Sequence, residues 1–339
     1  MSKRLTEFLS SFGIMAAGVI LLGVGSMTLT GKPVQNMVAK LPTSQFRPLV
    51  VGGDVAPTTL PVSRPRLPLP KDGVTYEHAG TALAVMVVDD KTNTVLFKKH
   101  SNEVRPLASI TKLMSALVLS ELPVKWDTTT LIMQEDSDGS SHQVAIGEEF
   151  TLEDLWEIAL VGSSNSAIEA LVRNSGLTSE EFVARMNKKA EEFSFFSMRF
   201  VEPTGLDKQN VAHALDAARL LKEALKVEKI YNALQTPGVS VKTANKEKRR
   251  QVWSTNWLLT KWVPNNYEPE WIVGKTGYIE DSGYNFVARF TDKKQRSIRV
   301  VILGATSNEA RFMEARDVAD WVFAHYVWPE EEGYEEMMK

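Results

Sequence analysis

A serine and a lysine stand one helical turn apart in the segment Arg105–Met114 (RPLASITKLM), at Ser109 and Lys112. Residues three apart are neighbours on a helix face, and Pro106 marks the entry to a helix expected from about Ala108. A serine hydroxyl is a weak nucleophile until a base comes within hydrogen-bond reach. A lysine can be that base only if its pKa is lowered, by burial, by the positive end of a helix or by a second cation. The pair alone occurs by chance in many chains. Two further groups change its weight. Ser163-Ser164-Asn165 interrupts a helical pattern between Leu155–Val161 and Ala167–Val172, which presents a hydroxyl and an amide from a loop between helices. Lys275-Thr276-Gly277 ends the apolar run Trp271–Gly274 and falls on a strand at the start of a hairpin. A nucleophile on a helix, a hydroxyl and amide on a loop, and a cation on a strand form three walls of a cleft.

Composition confines the chemistry to such groups. The 339 residues contain no cysteine, which excludes disulfides, thiolate metal sites, iron–sulfur clusters and a cysteine nucleophile. The histidines, at 78, 100, 142, 213 and 325, are scattered with no two at helical ligand spacing, so neither a metal nor a cofactor is expected. A net charge of −3 supplies no basic face for a nucleic acid. With 43% apolar residues the chain can bury a sizeable core.

In the order Ser-x-x-Lys, Ser-x-Asn, Lys-Thr-Gly, the three groups resemble the signature of penicillin-binding proteins and serine β-lactamases. Over roughly residues 80–328 the chain is similar to the low-molecular-mass penicillin-binding proteins of the D-alanyl-D-alanine carboxypeptidase and endopeptidase family. Arg105–Met114, Arg199–Leu206 (RFVEPTGL) and Lys275–Tyr278 (KTGY) carry the likeness, and Ser254-Thr255-Asn256 resembles the endopeptidase branch. The chain stops short of the C-terminal β domain of many carboxypeptidases, which points the same way. Ser166, where relatives often carry an acid, and residues 279–283 (IEDSG) depart from the family pattern.

The resemblance implies roles. Ser109 attacks the carbonyl of a D-Ala-D-X bond of a peptidoglycan stem peptide, and Lys112 takes its proton. Ser163 relays a proton to the leaving amine, and Asn165 binds the substrate amide and fixes Lys112. Lys275 and Thr276 hold the terminal carboxylate, and Gly277 lets the backbone approach. The N–H groups of Ser109 and Tyr278 form the oxyanion hole. β-Lactams are then covalent inhibitors. The alternatives are a carboxypeptidase, a serine β-lactamase, and a non-catalytic β-lactam-binding or sensor protein. Glu202-Pro203 reads as a family turn rather than a deacylating glutamate, and Asp136-x-Asp138-Gly139 as a polar turn rather than a cation loop. Lys246–Arg250 (KEKRR) reads as a solvated hairpin tip. Trp253, Trp257 and Trp262 either pack in the core or line a groove.

The elements that must position these residues follow from pattern. Ala82–Asp89 and Thr94–Lys98 read as a β-hairpin. Residues 108–230 are mostly helical, with capping signals at Thr151-x-x-Asp154 and Thr178-x-x-Glu181. Strands are expected at Trp271–Lys275, Tyr284–Phe290 and Ile298–Leu303, and a closing amphipathic helix at Ala310–Val327. Strands at both ends of a helical middle imply an α/β (α+β) fold, one antiparallel sheet flanked by helices plus a helical lobe. The resemblance makes this fold β-lactamase/transpeptidase-like. The domain reading is a catalytic unit at 80–328, a proline-rich spacer at 32–79, and an acidic tail at 329–339 expected to be solvated and frayed. Residues 1–31 form an N-terminal anchor or signal peptide. Its uncharged run Phe8–Gly31 would span about 36 Å as a helix, enough for a bilayer core. Lys3 and Arg4 hold its start inside, so the rest lies on the periplasmic side of the cytoplasmic membrane. A reporter fused after residue 35 should be active only outside the cytoplasm. Protein that resists a high-salt wash of membranes identifies the anchor, and soluble protein starting near residue 27 identifies cleavage.

Overall fold

The computed structural model describes residues 66–137, 143–246 and 249–339. Phe8–Gly31, Asp138-Gly139 and part of the Lys246–Arg250 run lie outside the described residues. No helix among the described residues is long and apolar enough to cross a membrane.

The expected hairpin is β1 (Ala84–Asp89) and β2 (Val95–Lys99). Helices follow: α1 (Lys112–Glu121), α2 (Leu152–Leu160), α3 (Asn165–Arg173), α4 (Ser179–Glu192), α5 (Ala214–Ala224) and α6 (Glu228–Gln235). A small hairpin, β3 (Gly238–Lys242) and β4 (Arg249–Trp253), precedes β5 (Ile272–Ile279), β6 (Gly283–Thr291) and β7 (Ser297–Ala305). Helix α7 (Asn308–His325) follows the last strand. The main sheet is antiparallel, in the order β5-β6-β7-β1-β2. Strands β1 and β7, near opposite ends of the folded region, thus pair at its centre.

Alternation decides which core each strand residue joins. Val85 and Val87 of β1, with Phe286, Phe290, Val300 and Ile302, pack under Phe312, Ala315, Val318 and Val322 of α7. Ala84, Met86 and Val88, with Val287, Val301 and Leu303, face the helical lobe. Both sheet faces are therefore covered, which is why β1 reads as an unbroken apolar run rather than a polar alternation. Helix α1 is buried on every side from Lys112 to Leu119, so its sequence also lacks a polar stripe. The caps form as expected: Thr151 Oγ1 accepts from Asp154 N at 3.0 Å, and Thr178 and Glu181 bond reciprocally at 3.2 and 2.9 Å.

Two regions depart from a composition-based reading. The C-terminal tail is packed rather than frayed: Tyr334 is 1% exposed and its hydroxyl donates to Leu67 O at 2.8 Å. Ion pairs from Arg296 and Lys294 to Glu331 hold the same segment. Glu331 is thus met by bases from the β6–β7 turn, and Glu330 and Glu335 by Lys91 and Arg66. Residues 66–79, the end of the proline-rich stretch, lie along the domain. Leu69–Pro70 pairs with Tyr326–Val327, and Tyr76 packs on Phe97 and Trp321.

This strap is fastened at Glu314, a buried acid on α7. Its carboxylate accepts from Thr81 N and Oγ1, both at 2.7 Å, and from Ala82 N at 3.0 Å, while His78 Nε2 stands 3.3 Å away. Burial alone would raise this carboxyl, but those partners outweigh it and hold it at about 2. A depressed carboxyl stabilises the fold above its unfolded pKa, near 4.3, and loses that contribution as pH falls toward its folded value. Glu314→Gln should therefore flatten the loss of thermal stability between about pH 4.5 and 2. Thermal melts across that range check it, and an unchanged acid limb would count against the assignment.

Candidate active site

The Ser109 segment enters as a short pairing of Arg105–Pro106 with Val211–Ala212. It then turns through Ala108, whose φ of +50° is rare for a residue with a Cβ. Ser109 does not lie on the α-helix itself. It sits in a 3-10 turn, Ala108–Thr111, and α1 begins at Lys112. The tighter turn still leaves serine and lysine on one side: Lys112 Nζ donates to Ser109 Oγ at 2.8 Å. Lys112 is fully buried, whereas Ser109 is partly accessible. The amine also donates to Asn165 Oδ1 at 2.5 Å and to Thr204 O at 2.8 Å.

The second wall is the turn between α2 and α3. Ser164 caps α3 by accepting from Ala167 N at 3.3 Å, which makes Asn165 its first residue. Ser163 takes a left-handed φ of +63°, as a hydroxyl held out from a tight turn requires. The third wall is β5, at the edge of the sheet. Lys275 Nζ donates to Ser163 Oγ at 2.6 Å and to Thr276 O at 3.0 Å. The Thr276 hydroxyl meets that of Thr255 at 2.6 Å. Burial, then the nearby Lys112 and Arg311 charges, push the Lys275 amine well below its ordinary pKa. A base that can exchange a proton with Ser163 results. Tyr278 is half exposed, its ring stacked on Tyr284 at 4.2 Å.

Two glycines let these walls close on the serine. A Cβ on Gly277 would stand 2.6 Å from Leu107 O and 3.1 Å from Ser109 N. At Gly205, with φ of +94°, it would stand 2.0 Å from Ala108 O. The expected close approach at Gly277 is thus present, and a second one was not foreseen.

Residues without motif spacing hold the arrangement. Glu202 is the turn residue expected rather than a free base. Its carboxylate accepts from Thr204 N, Thr204 Oγ1, Gly205 N and Asn210 Nδ2 at 2.5–2.7 Å, which aims Thr204 O at Lys112. Buried Asn285 donates to Pro106 O at 2.9 Å and Leu107 O at 3.2 Å, tying the nucleophile turn to β6. A register slip between β6 and β7 frees it, and Gly304 N donates to its Oδ1 at 2.9 Å. Arg311 of α7 donates to Gly277 O at 3.0 Å and Asn285 O at 3.1 Å. Desolvation lowers this guanidinium to about 9. Among the supporting residues, Thr255 carried a sequence signal through Ser254-Thr255-Asn256 and the Glu202 turn through Arg199–Leu206, whereas Asn285 and Arg311 carried none.

A serine and a buried lysine, a second serine and lysine facing them, and an asparagine between make a site for acyl transfer through a serine ester. Residues 73–307 match the family described as D-alanyl-D-alanine carboxypeptidase, and the chain belongs to that family. It is therefore a serine-type D,D-peptidase by class. A D-alanyl-D-alanine endopeptidase of Pseudomonas aeruginosa is 30% identical over 259 residues, covering 75% of this chain and 81% of the relative. One from Haemophilus influenzae is 32% identical over 236 residues, covering 68% and 78%. The fold matches the Streptomyces K15 DD-transpeptidase with a TM-score of 0.67 at 22% identity, over 74% of this chain and all of that one.

Gly205→Ala should lower stability by more than about 1 kcal/mol, because strain and collision with Ala108 O coincide. Gly147, also at positive φ (+79°) but with open space around it, supplies the comparison. Gly147→Ala carries the backbone strain alone and should cost less in the same urea titration. Equal losses would show that contact with the nucleophile turn contributes nothing.

Proposed function

We propose that this chain hydrolyses D-Ala–D-X bonds of peptidoglycan stem peptides through an acyl-enzyme on Ser109, with cross-linked stems as its main substrate. The observation that carries the reading is the 2.8 Å bond from a fully buried Lys112 to a partly accessible Ser109 Oγ. Ser109 Oγ attacks the carbonyl carbon, and its proton passes to Lys112. Negative charge developing on the carbonyl oxygen is met by the N–H groups of Ser109 and Tyr278, fixed donors that need no reorganisation. Ser163 passes a proton to the departing amine as the C–N bond breaks and is resupplied by Lys275 Nζ, which donates to it and whose lowered pKa makes it a ready proton donor. The hydroxyl pair of Thr255 and Thr276 receives the carboxylate of the leaving group, with Lys275 behind it. Water then cleaves the ester by the reverse proton path.

Several features favour cross-links over terminal D-Ala. The relatives from Pseudomonas and Haemophilus are named endopeptidases, and Ser254–Asn256 and Arg199–Leu206 resemble that branch. The rim at Tyr278 is open to solvent, which suits a leaving group as large as a second stem. A β-lactamase is disfavoured because Glu202 spends its carboxylate on four hydrogen bonds within its own turn and is not available to activate water. β-Lactams fit the same cleft as slowly released acylating inhibitors. Residues 8–31, as an uncleaved anchor or a cleaved signal, direct the domain to the outer side of the cytoplasmic membrane, within reach of the wall.

Digestion of purified dimeric muropeptide beside pentapeptide monomer tests the reading. Dimers should become monomers, with D-Ala release slower, and Ser109→Ala should abolish both that conversion and covalent labelling by penicillin. Release of D-Ala with dimers untouched would overturn the endopeptidase assignment and leave a carboxypeptidase. Penicillin labelling that persists in Ser109→Ala would overturn the nucleophile.

A further inference from the structure

Arg311 is a buried cation with no carboxylate against it among the described residues. It is 6% exposed, and its Nη1 donates to Gly277 O at 3.0 Å and to Asn285 O at 3.1 Å. Its Nη2 donates to Asn308 Oδ1, while its Nε has no partner. The guanidinium carbon stands 4.8 Å from the Phe312 ring centroid and 5.5 Å from that of Tyr284. Glu314, one helical turn on, is turned toward Thr81 and Ala82 instead. Taking a charge out of water is costly, and neutral donors could satisfy two carbonyls at less cost. The acceptors alone do not account for a guanidinium here.

Strand geometry shows what the charge reaches. Gly277 and Asn285 are partners across β5 and β6. One nitrogen lies within 3.1 Å of both carbonyl oxygens only where the two converge between the strands, as in a hydrogen-bonded antiparallel pair. The Gly277 carbonyl therefore points toward β6. In a planar trans peptide the next N–H points the opposite way, and no cis peptide occurs among the described residues. The N–H of Tyr278 thus leaves β5 at the free edge of the sheet. Gly277 also adjoins the Ser109 turn, since a Cβ on it would stand 3.1 Å from Ser109 N. Arg311 holds, by its carbonyl end, the peptide whose other end is assigned to the oxyanion hole.

We propose that Arg311 is a positioning residue for the oxyanion hole, fixing the Gly277–Tyr278 peptide and lending its charge through that peptide to the Tyr278 N–H. The proposal rests on the peptidase reading of the cleft. A cation on a carbonyl oxygen draws electron density from the amide and makes its N–H the stronger donor. The same charge attracts, across the strand, the negative charge that develops on the substrate's carbonyl oxygen. The bound substrate carries no such charge, so the gain belongs to the transition state.

Three substitutions in the full-length chain separate the charge from the scaffold. Arg311→Lys keeps a charge and a donor, Arg311→Gln a donor alone, and Arg311→Met neither. The readouts are the rate constant for acylation of Ser109 by penicillin and the dissociation constant of the noncovalent complex before it. A third is the affinity for a D-alanine-like boronic acid, whose adduct on Ser109 is tetrahedral and anionic. In Arg311→Gln the acylation rate constant should fall about tenfold to thirtyfold, and the boronic acid affinity by a similar factor. The noncovalent complex should change by less than about twofold. Arg311→Lys should stay within about threefold of the wild type. Arg311→Met should fall at least as far as the glutamine variant without losing thermal stability, because a buried charge has gone. It carries the comparison if Arg311→Gln does not fold. A neutral variant that folds and acylates at the wild-type rate overturns the role, as does a lysine variant no faster than the glutamine one. A loss shared equally by the noncovalent complex and the acylation step marks a scaffold alone and also overturns it. A wild-type chain that takes neither penicillin nor the boronic acid refutes the peptidase reading, and the role of Arg311 falls with it.

Discussion

A primary amine taken wholly out of water needs oxygen lone pairs around it, and at Lys112 separate parts of the chain supply them. Ser109 comes from the turn before α1, Asn165 from the start of α3, and Thr204 O from the loop after α4. An unmet amine at this depth would cost several kcal/mol, so the convergence of these segments is a condition of folding as well as of reactivity. The rest of the domain can be understood as the means of bringing them together. Helix α1 is buried on all sides because it carries the lysine into the centre of the lobe, and Glu202 folds a turn whose product is one correctly aimed carbonyl.

The second lysine answers to the same condition in a different way. Lys275 is 1% exposed and lies near two other basic groups, Lys112 and Arg311, so burial first and then those neighbours lower its pKa. The unequal settings of the two amines explain why one motif cannot substitute for the other. Arg311 supports this difference from behind. It is held by the carbonyls of Gly277 and Asn285, so the residue that shapes the field at Lys275 also fixes the strand bearing it.

What the sequence displayed and what it hid divide along a physical line. Ser109, Lys112, Ser163, Asn165 and Lys275 were legible because they fall in three short clusters, on elements whose periodicity is strong. The sheet was legible because its strands are apolar on both faces and bounded by polar turns. Asn285 and Arg311 were not, since each is a lone polar residue whose meaning lies in partners remote in sequence. Asn285 shows the extreme case, bonding to Pro106 O across 179 positions. The turn type at Ser109 was hidden for a local reason: a 3-10 turn and the first turn of an α-helix ask for the same residues. The tail was misjudged because composition counts acids without the bases that meet them.

The pairing of β1 with β7 sets an order on assembly. Arg299 on β7 bonds to Asp89 O on β1 across 210 positions, so the middle of the sheet forms only when late residues meet early ones. Pairings this distant are slow to form, because loop closure must be completed before the contacts can compensate for it. Ser109, Lys112 and Asn165 precede the last strands in the chain, whereas Lys275, Gly277 and the Asn285 clamp lie on them. A partly emerged chain therefore has its nucleophile and base without the wall that confines them. Maturation of a hydrolase is in this way coupled to completion of its own topology, with no separate inhibitory segment needed to keep the unfinished chain silent.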